Sequence, residues 1–212
     1  MINKKTEILN IKTKKAAMFG LDARIALAIF AALSVITGAA LYSAIQKTKV
    51  IAIITTMQEI GKAWESYYLD TSTNLAKRDS SNPAASNYYI LKAGHLVTDP
   101  SINGWKGPYL SYTSSVDYAL DNSKYSSSKI YLKVLSHEDS WNDWNGGLCT
   151  STKKCSLWIH TDNVKESIDF IKQIDKSVDN SDGLSNGSFR WVDGGGVFDI
   201  LLRVNPIKNP ND

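Results

Sequence analysis

Residues 25–46 read IALAIFAALSVITGAALYSAIQ, a run of 22 without a charge. At about 1.5 Å of rise per residue, a helix of that length crosses a hydrocarbon layer of roughly 30 Å. Lys4, Lys5, Lys12, Lys14, Lys15 and Arg24 precede the run, whereas Lys47 and Lys49 follow it. The more cationic flank stays in the cytoplasm, so everything after Gln46 is expected to be exported.

The same block accounts for the charge of the chain. Six cations stand against Glu7 and Asp22 in the first 24 residues; removing that +4 from the formal +3 leaves the other 188 residues at −1. A basic excess confined to one terminal segment is no nucleic-acid footprint, and none is expected as a partner. The 212 residues are 43% apolar and 21% charged, enough to bury a core in a domain of ordinary size. Two cysteines exclude a disulfide-dense scaffold and a four-cysteine zinc site.

The apolar run has three readings. A cleaved signal peptide would use residues 25–37 as its apolar core and a small-residue site near Gly38, Ala39 and Ala40. The helical pattern continues past that point, however. Leu41, Ile45, Val50, Ile53, Ile54, Met57, Ile60, Ala63, Trp64, Tyr67 and Tyr68 recur at spacings of three and four, with Gly61 the one interruption. One helix of roughly 45 residues from near Leu21 is therefore expected, far longer than a globular helix. That fits a plain uncleaved anchor.

It also fits a third reading. Lys14-Lys15-Ala16-Ala17-Met18-Phe19-Gly20, followed by Leu21 and the apolar run, resembles the class III leader of type IV pilins and type II secretion pseudopilins. The resemblance implies cleavage after Gly20 and methylation of Leu21 by a prepilin peptidase. The family usually carries Glu at the fifth mature position, and here that residue is Ile25; Asp22 is the nearest carboxylate and Arg24 an added cation. A pairing of Asp22 with the new amine or with Arg24 would serve filament docking in place of the missing Glu, because a charge buried without a partner is costly.

After Asp70 a polar stretch containing Pro83 ends the helix. Asp99-Pro100 and Gly104-Trp105-Lys106-Gly107-Pro108-Tyr109-Leu110 combine turn residues with an indole flanked by glycines, and are similar to the turn leading into the first strand of many pilin heads. Strand-like runs fall at 109–112, 116–120, 130–135, 157–160, 188–192 and 197–204. One helix interrupts them, with Thr161 or Asp162 as cap and Val164, Ile168, Ile171, Ile174 and Val178 on its apolar face. The expected fold is α+β and pilin-like, with a long N-terminal helix packed on an antiparallel sheet. Its segments are a leader at 1–20, a membrane or assembly half at 21–46, an amphipathic half at 47–70 and a head at 71–212.

Cys149 and Cys155 lie in the exported part, where a disulfide forms and persists; their spacing is not that of a CxxC redox pair. Asp175, Asp179, Asn180, Asp182 and Asn186 offer oxygens for a Ca²⁺ loop, with Asp179 and Asp182 as candidate ligands, although the loop lacks the spacing and bidentate Glu of an EF-hand. The bland reading is that these residues only make turns. Trp141 and Trp144, on a loop rich in Asn, Asp and Gly, are candidates for stacking on a ligand; burial in the head is the alternative. His137-Glu138-Asp139 is the one histidine beside carboxylates and reads as a solvated loop. Gly194, Gly195 and Gly196 make a hairpin turn, not a phosphate loop. No nucleophile elbow or paired carboxylates stand out, so no enzyme is expected.

The resemblance implies a structural subunit of a type IV pilus or type II secretion pseudopilus. Its partners would be other such subunits, the prepilin peptidase, an inner-membrane assembly platform and membrane lipid. Before assembly it would sit in the bacterial inner membrane by one span, with the head in the periplasm. The alternative is an anchored binding module, an adhesin or minor tip pilin, that uses the tryptophan loop. An anchored hydrolase resting on His137, Glu138 and Asp139 is a third reading.

Overall fold

A computed structural model describes residues 3–125, 127–141, 143 and 147–212, with side chains from residue 20 onward. The chain divides into two units, residues 1–48 and residues 49–212. The first unit is helical throughout its described length and belongs to α1 (Asn3–Thr71). This helix starts upstream of the expected Leu21.

The second unit contains the rest of α1, which shows a one-sided pattern. Val50, Ile53, Met57, Ile60, Trp64 and Tyr67 are buried, whereas Ile51, Tyr68 and Leu69 are exposed. Steps of three and four residues keep the buried set on one stripe of a helix with 3.6 residues per turn. Each large apolar side chain removed from water contributes about 1.5–3 kcal/mol, so packing rather than helix propensity holds this stretch.

The stripe packs on a six-stranded sheet. Its strands are β1 (Ile90–Leu91), β2 (Leu120–Asp121), β3 (Lys129–Ser136), β4 (Cys155–Val164), β5 (Phe189–Asp193) and β6 (Phe198–Ile207). They are ordered β1-β3-β4-β6-β5, with β2 also on β3, and every pairing is antiparallel. Alternation sorts the side chains: Ile130, Leu132, Val134, Leu157, Ile159, Ile200 and Leu202 share a core with the α1 stripe. On the other face Leu135, Trp141, Trp158 and Leu201 form a second small cluster. Gly61 marks a close approach of α1 to the sheet, since a Cβ there would lie 2.9 Å from Val204 Cβ.

Helix α2 (Ile168–Asp179) adds Phe170, Ile171 and Ile174 to the main core. Its cap is Ser167, whose hydroxyl accepts from Phe170 N at 3.2 Å, and not the expected Thr161 or Asp162. Those two residues lie in β4, which runs on to pair Thr161 with Ile130 and Ile200, and Val164 with Phe198. Pairing on both sides outweighs the local cap chemistry. Residues 109–112, expected as a strand, form none. Their region is held instead by Tyr109 N donating to Leu96 O at 2.8 Å and by Trp105 meeting Tyr109 edge-on at 5.9 Å. Of 116–120, only Leu120 enters a strand, and Val116 bridges back to Ala119.

The Gly104–Leu110 turn closes over the C-terminal end of α1. Lys106 Nζ lies 2.9 Å from Asp70 Oδ1, and Tyr109 Oη donates to Asp70 Oδ2 at 3.0 Å. Trp105 Nε1 donates to His95 O at 2.9 Å. Gly104 is at φ +87°, and a Cβ there would lie 2.4 Å from Asp70 O, so the turn requires glycine on two counts. An aspartate in the last turn opposes the helix dipole, and the Lys106 ammonium offsets that repulsion.

Two outcomes follow for the purified protein in detergent. Gly61→Leu pushes a side chain into Val204 and lowers the unfolding free energy of the head by about 1–3 kcal/mol in a denaturant titration. Gly38→Leu, where no atom lies within 4 Å of the added Cβ, leaves it unchanged. Asp70 has its pKa lowered chiefly by the hydrogen bond from Lys106, so its contribution is present above the unfolded carboxylate value of about 3.9 and is lost as pH falls through the lower folded value. Asp70→Asn therefore destabilises at pH 7, and thermal melts of the two proteins converge in acid.

Candidate functional site

Residues 21–45 carry the largest run of exposed apolar side chains among the described residues. Leu21, Ile25, Leu27, Ile29, Phe30, Leu33, Val35, Ile36, Leu41, Tyr42 and Ile45 are all exposed, Phe30 at 70%. Within residues 20–71 the most apolar 18-residue window has a hydropathy of 2.2, and none of it is buried. This helix is long and apolar enough to cross a membrane. Thr37 and Thr48 donate their hydroxyls to Leu33 O at 2.7 Å and Ala44 O at 3.0 Å, so neither hydroxyl is unpaired against an apolar surrounding.

Gly20 and Leu21 lie inside α1, and both are exposed. Asp22 and Arg24 are exposed as well. Two residues apart on a helix, they point to different sides, and among the described residues no ion pair joins them.

Cys149 and Cys155 form a disulfide, with Cα atoms 5.9 Å apart. It ties the start of β4 to the loop before it, and both residues are buried in the main core. Trp141 is 4% exposed. Its Nε1 donates to Ser136 O at 2.9 Å, its ring meets Trp158 edge-on at 5.2 Å, and the Arg190 guanidinium lies over it at 4.4 Å. The ring is committed to packing in the head. Trp144 lies outside the described residues.

The His137 triplet splits into separate contacts. Glu138 pairs with Lys154 at 3.4 Å and Asp139 with Lys153 at 2.6 Å, and hydrogen bonds from the Lys154 backbone and from Lys153 hold the two carboxyls below their usual values. His137 Nδ1 lies 2.9 Å from Ser156 Oγ, with its pKa lowered first by burial. Ser156 is buried in β4, so this hydroxyl does not face an open cleft.

At the end of α2, Asp175, Asp179 and Asp182 bring one carboxylate oxygen each within 4.8 Å of one another. Asp175 and Asp179 are one helical turn apart, which puts both on the same side of α2. Asp179 Oδ2 accepts from Ser188 N at 2.7 Å and Phe189 N at 2.5 Å, tying the helix to the start of β5. Sequence reasoning included Asp175 among the oxygens of this loop and named Asp179 and Asp182 as the candidate ligands; the burial of Asp175 is what it did not show. Asp70 was also missed as a clamp residue, since nothing local links it to Lys106 and Tyr109.

No protein-family model matches this chain, and no curated protein or solved structure is significantly similar to it.

Trp141→Ala should lower the unfolding free energy by about 3–5 kcal/mol, measured by denaturant titration, because the substitution empties a filled site in the head. A loss below 1 kcal/mol would contradict the packing role.

Proposed function

We propose that the chain is a structural subunit that is held in a membrane by residues 21–46 and assembles into a filament through the same surface, in the manner of a type IV pilin or type II secretion pseudopilin. The observation that carries this reading is the change of character along α1. Residues 25–45 are apolar and exposed on every side, while residues 50–67 bury a single stripe against an antiparallel sheet. A globular head needs only the second part. The first needs lipid or other helices, and either removes apolar surface from water at roughly 25 cal/mol per Å².

Several features support the direction of insertion. The lysines ahead of the span favour a cytoplasmic N-terminus, and the Cys149–Cys155 disulfide suits an oxidising compartment on the other side. Ala23, Ala26, Ala28, Ala31, Ala32, Gly38, Ala39 and Ala40 let helix backbones approach closely, which is how helices associate where the surrounding medium is itself apolar. The prepilin peptidase acts on this chain, and assembly rather than catalysis is its role. The binding-module alternative draws no support from Trp141, whose ring is buried.

Mass spectrometry of the mature N-terminus tests the proposal. A methylated Leu21 is the expected result. An intact Met1 would indicate a plain anchor, and a start near Leu41 would indicate ordinary secretion and overturn the proposal.

A further inference from the structure

We infer that the cleft between α1 and residues 122–125 seats the head group of an anionic glycerophospholipid, with Lys49 and Lys124 on its phosphate. The inference rests on the membrane reading of residues 21–46 and adds to it a lipid class and a place for that lipid on the head.

The cleft holds about 150 Å³, and its lining mixes the apolar Ile53, Met57 and Ile200 with the polar Thr56, Asn122 and Lys124. All of these residues belong to the second unit. A phosphoglycerol head group has the same mixed character, with charged and hydroxyl oxygens on a short carbon stem. The loop side of the cleft is held in shape without a ligand. Asn122 Oδ1 accepts from Lys124 N at 3.0 Å, Asn122 Nδ2 donates to Ser128 Oγ at 3.2 Å, and Tyr125 Oη donates to Glu166 Oε1 at 3.0 Å. A preformed concave site of this kind is where a small polar group binds at low ordering cost.

Two cations converge on it. Lys49 is exposed and precedes Ile53 by four residues and Thr56 by seven, which puts it on the face of α1 that lines the cleft. Lys124 Nζ lies 4.9 Å from the centre of the Tyr125 ring. Burial lowers the Lys124 pKa most, the Glu166 carboxylate opposes that shift, and the Lys49 charge lowers it further. Among the described residues neither ammonium forms an ion pair. Two cations that repel each other beside one cleft favour an anion between them.

The sequence says which anion is within reach. Lys49 is the third residue after Gln46, where the uncharged run ends, so helical rise carries it about 4.5 Å further along α1. Head groups occupy roughly 5–8 Å on each side of the hydrocarbon layer. At that depth the available anion is a lipid phosphate. A lipid of net negative charge gains from both lysines, whereas a zwitterionic lipid already carries its own cation.

The test reconstitutes the full-length protein in vesicles of phosphatidylcholine and phosphatidylglycerol in equal amounts, releases it into mild detergent and weighs it intact by native mass spectrometry. One phosphatidylglycerol should stay on the wild-type chain in preference to phosphatidylcholine. Lys49→Gln and Lys124→Gln should each lower that occupancy about fivefold. Lys62→Gln removes the same charge from an exposed position further along α1 and should leave the occupancy unchanged. The two readings fail separately. A chain that does not float with the vesicles contradicts the membrane span and the lipid site together. A chain that floats but retains both lipids alike, or loses its preference equally with Lys62→Gln, keeps the span and overturns the site. Retention of added glycerol phosphate in place of lipid would assign the cleft to a soluble anion and overturn the inference. Lipid-free dimers that disappear in the two cleft variants would assign it to a second copy of the chain, with the same consequence.

Discussion

Val50, Ile53, Met57, Ile60, Trp64 and Tyr67 leave α1 every three or four residues and enter one core with Leu132, Ile159 and Leu202 of the sheet. The head depends on that contact. An antiparallel sheet with one apolar face in water would not be stable, and α2 covers only part of it with Phe170, Ile171 and Ile174. Gly61 sets how closely the helix can lie, because Val204 occupies the space a side chain would need. The clamp of Lys106 and Tyr109 on Asp70 then fixes where the helix ends.

The two parts of α1 obey different solvents. Downstream of residue 49 the buried apolar residues lie on one stripe, although Ile51, Tyr68 and Leu69 stay exposed. Upstream, between Arg24 and Lys47, the apolar residues go round the whole helix and no charge interrupts them. That surface is unfavourable in water and favourable in lipid or among other apolar helices, so its solution is found outside the head. Charge divides earlier, with +4 in the first 24 residues and −1 in the remainder.

Much of this was legible in the sequence because it rests on period. The 3.6-residue recurrence from Val50 to Tyr67 and the alternation in β3, β4 and β6 are signals that packing reinforces. The strand at 130–135 was placed to within a residue at each end. What the sequence hid depends on contacts between distant segments. Thr161 and Asp162 look like a helix cap, yet β4 keeps them because β3 and β6 pair with it on both sides. Tyr109 and Tyr112 look like strand residues, but Tyr109 is engaged by Leu96, Trp105 and Asp70. The acidic loop after α2 could be seen as oxygen-rich, while the burial of Asp175 under it could not.

Cysteine accessibility along α1 tests the division of labour most directly. Single cysteines at positions 25, 29, 33 and 36, and at 53, 57 and 60, would be probed with a water-soluble maleimide in intact membranes and again in mild detergent with the head still folded. The first set should be shielded in membranes on every side of the helix, while the second should stay shielded in both conditions. Free labelling of the first set by maleimide in intact membranes would contradict the claim that this surface is covered by lipid or by neighbouring helices.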